Sequence, residues 1–166
     1  NMAVQKTIRQ FQTTGIVGDI VLSGPGRAQA GMLNTTNAAL NVVGSAMTHV
    51  AGENGKFTIG GTGAFAGILS NSKLYALNGT TAGTLEPTMA LPNNTVVQGV
   101  TLTSGILVNL KGAAAIGDKI EFSQTDGTLQ ANSTGTASEG YTLIPNSKIV
   151  RFNTSGAGEA IVELTE

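Results

Sequence analysis

Residues 57–78 read FTIGGTGAFAGILSNSKLYALN, and the reading of this stretch decides the fold. It holds an apolar run, Ala64-Phe65-Ala66-Gly67-Ile68-Leu69. Glycines at 60, 61 and 63 precede the run, and Asn71-Ser72 ends it. A second extended piece, Lys73 to Leu77, closes on Asn78-Gly79. Short apolar runs bounded by turn residues read as buried strands. The stretch is therefore expected to form a core β-hairpin. Gly61-Thr62-Gly63-Ala64-Phe65-Ala66 also fits the loose fingerprint G-x-G-x-x-A, with Glu86 about twenty residues on. That fingerprint needs a helix starting on it, whose N-terminus faces a pyrophosphate. Gly67 and Asn71-Ser72 leave no room for such a helix, so the glycines read as a β-turn.

Composition agrees with an all-β chain. Of 166 residues, 23 are Gly, and Thr and Asn are frequent; these residues favour turns and strands over helix. Aromatics are 4% with no Trp, so the core must come from Val, Ile, Leu and Ala. Charged residues are 11%, roughly half the usual share. So little charge protects a free monomer poorly against association, and it points to a surface covered by other subunits. Net charge is −1, which gives no electrostatic case for nucleic acid or membrane. Without cysteine there are no disulfides and no thiolate chemistry. No signal peptide and no apolar stretch of spanning length is seen. Asn1 precedes Met2, so residue 1 is not taken as the native start.

Outward from the central stretch, hairpin signals recur. Asn54-Gly55 leads into Lys56-Phe57-Thr58-Ile59, and Asp126-Gly127 joins Gly117–Phe122 to Leu129–Ala131. Gly18-Asp19-Ile20-Val21-Leu22 resembles the start of that second hairpin and is expected to return, after Ser23-Gly24-Pro25-Gly26, through Arg27 to Met32. The Asp after each Gly is expected to bond its own loop backbone. Val42–Ala51 reads as strand. Thr95–Leu110 reads as two strands broken at Ser104-Gly105, and Leu143–Phe152 pairs with Ala160–Leu164 as a final hairpin. Asn132–Gly140 reads as a mobile loop. Residues 1–14 form an extended N-terminal arm whose Ile8 and Phe11 want burial, and residues 15–166 form a single β domain. About a dozen short strands at turn spacings near ten residues argue for a β-sandwich or barrel of antiparallel strands.

Chemistry is sparse. His49 is the only histidine, so no zinc site of His and Cys ligands exists. A Ser-His-Asp triad would have to use His49, which lies in a strand pattern with no G-x-S-x-G elbow. The acids do not pair as glycosidase carboxylates do, and the Asp126-Gly127 turn lacks calcium-loop spacing. Five N-x-[ST] sequons begin at Asn34, Asn78, Asn93, Asn132 and Asn153, as expected from the Asn and Thr content. No catalytic, cofactor or metal residue emerges.

The order of segments resembles the structural cement, or capsid decoration, proteins of tailed bacteriophages. The pieces are Gly18-Asp19-Ile20-Val21; Gly60-Gly61-Thr62-Gly63 leading to Phe65–Leu69 with Lys73 and Tyr75; and Thr84-Leu85 through Ala90-Leu91-Pro92. Gly117-Asp118 with Asp126-Gly127, Ile144-Pro145, Val150-Arg151-Phe152 and Gly156-Ala157-Gly158 complete the series. The resemblance implies a β-rich homo-oligomer on the outside of the capsid, with no catalytic motif and no small-molecule substrate. It would bridge major capsid protein subunits, as a trimer first and a dimer as the alternative. The arm residues Ile8, Arg9 and Phe11, with Met89 and Leu91 of the proline-flanked loop, are the expected contact residues. Apolar and strand-edge contacts would suit that role. A carbohydrate-binding or tail-associated phage sandwich is the alternative, but the absence of Trp argues against an aromatic sugar platform.

Overall fold

The computed structural model describes residues 15–71, 90–152 and 156–165. The arm, Lys73–Leu77, Met89 and most of the proline-flanked loop lie outside these. Ten strands are described: β1 (Arg27–Leu33), β2 (Ala46–His49), β3 (Lys56–Ile59), β4 (Phe65–Leu69), β5 (Val96–Leu110), β6 (Lys119–Ser123), β7 (Leu129–Asn132), β8 (Tyr141–Ile144), β9 (Ser147–Phe152) and β10 (Gly158–Leu164). One 3-10 turn, Ala38–Leu40, is present, and no α-helix occurs among the described residues. The all-β expectation holds, with a mixed rather than wholly antiparallel sheet.

The first five strands close on themselves. β1 pairs β3 in parallel, β3 pairs β2, β2 pairs β4, β4 pairs β5, and β5 pairs β1. Closure removes free edges. Inside lie Leu33, Met47, Phe57, Ile59, Leu69 and Val97. Gly31 makes room for the Phe57 ring, since a Cβ there would sit 2.5 Å from it. The far half of β5 leaves this ring and enters a second set. There β10 flanks it on one side, with β9 beyond. On the other side come β7, β6 and β8. Its core holds Ile106, Val108, Phe122, Ile149 and Val162. β5 thus belongs to both cores.

Within the opening stretch β3 and β4 flank β2. β4 pairs β5 on its other side. Residues 73–77, the expected partner of Phe65–Leu69, fall outside the described residues. No helix follows the glycines; Phe65 opens a strand. The glycines serve a close approach. The tip of the β6–β7 hairpin lies against them, with Gly61 N–H donating to Gln124 O (2.7 Å) and Ala46 N–H to Gly127 O (2.9 Å). A Cβ on Gly127 would sit 2.7 Å from the Ala46 carbonyl.

Three other expectations need correction. Thr95–Leu110 is one strand from Val96, because Gly105 is a crossing point and not a turn. A Cβ there would meet Leu22 and Ile161 at 2.8 Å. Gly18–Leu22 does not pair with Arg27–Met32. It runs along β5, through the bridge Ile20–Ile106 and the bond from Val21 N–H to Gly105 O (2.9 Å). Val42–Ala51 is strand only from Ala46 to His49. The β2–β3 and β6–β7 hairpins form as expected. In the final hairpin Ala160–Leu164 pairs with Ser147–Phe152, but Leu143 and Ile144, expected in the same strand, belong to β8, which pairs β6.

Candidate contact surface

The sequence writes one short pattern three times: Ile16-Val17-Gly18-Asp19, Val42-Val43-Gly44-Ser45 and Ala115-Ile116-Gly117-Asp118. The structure builds the same turn from each. Asp19 N–H donates to Ile16 O (2.9 Å), Ser45 N–H to Val42 O (3.2 Å), and Asp118 N–H to Ala115 O (3.1 Å). The third residue has φ of 91°, 84° and 96°, a region that glycine enters without cost. Each glycine N–H then donates to a strand carbonyl: Leu107 (2.7 Å), Leu69 (2.7 Å) and Ile149 (2.8 Å). The same three residues return their N–H to the carbonyls of Asp19 (2.9 Å), Ser45 (2.9 Å) and Asp118 (2.8 Å). In the two aspartate copies the carboxylate also accepts from the first residue of the turn, Ile16 N–H at 3.0 Å and Ala115 N–H at 2.9 Å.

These turns set large apolar side chains at the surface. Val17 packs on Gly44, and Val43 is buried, but Ile116 in the equivalent position is 69% exposed. Ile16, Ile20, Leu22, Val42 and Val96 are also exposed. Single exposed apolar residues are ordinary. Ile16 and Val42 come together along one groove.

The first two turns also wall a groove of about 660 Å³. Ile16 and Val42 stand on its sides with Leu40; Leu110 and Leu129 form its floor; Asp126 and Glu159 carry its negative charge. Lys111 Nζ lies 3.6 Å from Asp126 Oδ2. Burial pushes the Asp126 carboxyl up. Hydrogen bonds from Thr128 and Ser123, with the Lys111 charge, outweigh that and hold it below its ordinary value.

Among the expected contact residues, Ile8, Arg9, Phe11 and Met89 lie outside the described residues. Leu91 is described, and its side chain is 1% exposed in the first core. Its N–H donates to Asn41 O (2.8 Å) and its carbonyl accepts from Asn41 Nδ2 (2.8 Å). Leu91 is therefore a packing residue of its own chain and not a surface contact. No group of three or more metal-ligating side chains occurs among the described residues. His49 stacks edge-on against Phe57, with centroids 5.2 Å apart. No described helix is long and apolar enough to cross a membrane.

The profile of the structural cement protein family (E217 gp24/Pam3 gp6) matches residues 4–165. The chain belongs to the structural cement protein family. The cement protein is thus a structural component of a phage virion, as the segment order implied. A chain from "The capsid of Myoviridae Phage XM1" has the same fold. Its TM-score is 0.62 and its identity 17%, over 99% of both chains. No curated protein matches the cement chain.

Proposed function

We propose that this cement protein binds the outer surface of the assembled phage head and stabilises it by bridging major capsid protein subunits, as a homotrimer and without catalysis. The observation that carries the reading is the family match over residues 4–165. The surface supports it: few charges, and exposed Ile20, Val96 and Ile116 ready for apolar contact. The arm residues Ile8, Arg9 and Phe11, with Met89, are proposed to add contacts to neighbouring subunits.

The mechanism is linkage. A protein that binds only the assembled lattice stabilises it by RT ln(1 + [L]/Kd), about 2.7 kcal/mol per site at a hundredfold excess over Kd. Many sites on one shell multiply the effect. Heating purified heads with and without the protein tests this. Added protein should raise the temperature at which heads release their DNA, in proportion to occupancy up to saturation. An unchanged release temperature at full occupancy would overturn the stabilising role.

A further inference from the structure

We infer that the groove between the first two turns is the seat of the chain's own N-terminal segment, with Ile8 and Phe11 as its apolar anchors. Gly15, the first described residue, lines the groove beside Ile16. Phe11 is four residues from that point and Ile8 seven, so an extended chain carries them about 13 and 24 Å from it. That reach is ample for a groove of about 660 Å³, a volume suited to a few side chains.

The chemistry of the two sides matches. The groove has an apolar floor and walls in Leu110, Leu129, Leu40, Ile16 and Val42. Glu159 lines it and makes no ion pair among the described residues, while Asp126 is paired with Lys111. Residues 1–14 carry Lys6 and Arg9 and no acid. The segment thus brings two apolar side chains to an apolar floor and two cations to a wall with an unneutralised carboxylate. Its tether favours its own chain over a second copy, because a short linker gives an effective concentration of about millimolar. This seat belongs to the free protein. Read together with the proposed function, on which this consequence alone rests, lattice binding exchanges the arm's own groove for a neighbouring subunit.

The test is a comparison of amide chemical shifts in the free protein, with no heads present. The full chain, a chain lacking residues 1–12 and a Phe11→Ser variant are measured at two concentrations tenfold apart. Shifts that move at Val42, Ser45, Lys111 and Glu159 in both altered chains, and that do not change on dilution, are expected. Changes confined to residues 15–17 would overturn the seat. Shifts that fade on dilution would also overturn it, since the occupant would then be a second copy. The point variant keeps the test valid if the shortened chain does not fold. Head binding is measured separately, so an empty groove and a failure to bind heads are distinct results.

Discussion

Ser138 donates twice to the buried carboxylate of Glu121, through its N–H to Oε2 (2.9 Å) and through its hydroxyl to Oε1 (2.6 Å). Gln130 Nε2 (2.6 Å) and Asn132 Nδ2 (2.7 Å) complete the set. The loop expected to be mobile is thereby tied to β6. Burial alone would raise the Glu121 pKa, but the four donors outweigh it and hold the carboxyl below its ordinary value. A depressed folded pKa contributes stability that is present above the unfolded value, near 4.5. That contribution is lost as pH falls through the folded pKa. Glu121→Gln should cost about 2 kcal/mol at pH 7, since an amide cannot accept all four bonds. The gap to wild type should shrink as pH falls to about 3. Urea unfolding across that range checks both.

Strands β4 and β5 cross at a pair of glycines. A Cβ on Gly67, whose φ is 120°, would collide with the backbone of Gly99, and a Cβ on Gly99 would collide with the Ala66 carbonyl. Gly67→Ala and Gly99→Ala should each cost about 3 kcal/mol or more. Gly52→Ala is the control. Its φ is 75°, but nothing lies within 4 Å of its Cβ position, so its cost should stay about 1 kcal/mol.

The two aspartate turns should respond unequally to loss of the carboxylate. Asp118→Ala removes the bond from Ala115 N–H and should cost about 1 kcal/mol. Asp19→Ala also removes the bond from Asn71 Nδ2 (2.9 Å) and should cost about twice as much. Thermal unfolding of the two variants checks the order.

Ile116→Asp should leave stability within about 0.5 kcal/mol, because the side chain makes little contact in its own chain. Head binding should weaken about tenfold or more if the residue is an apolar anchor at the lattice. Deleting residues 1–12 should likewise weaken head binding while the remaining chain stays folded. Undiminished binding of the shortened chain would remove the arm from the contact set.

What was legible in the sequence follows from which interactions are local. Asn54-Gly55 and Asp126-Gly127 announced their hairpins because a turn is a property of a few adjacent residues. The aspartates after Gly18 and Gly117 bond their own loops as expected. The third copy of the turn escaped notice because Ser45 replaces the aspartate and only the backbone bonds remain. Gly105 and the glycines at 60 and 61 looked like breaks. Each instead admits a chain segment distant in sequence, which no local pattern reports. Leu91 misled for the same reason. Its polar, proline-flanked neighbours suggest surface, yet Asn41 and Asn93 hold the segment over the first core. On the candidate surface, Ile16, Val42 and Ile116 could have been found from the apolar residues preceding each turn glycine.

The most direct test is co-sedimentation of the purified protein with undecorated phage heads, expanded and unexpanded in parallel. Saturable binding to expanded heads alone is the predicted result, because the proposed function has the protein bind only the assembled lattice. Failure of the well-folded protein to bind either form would contradict the account.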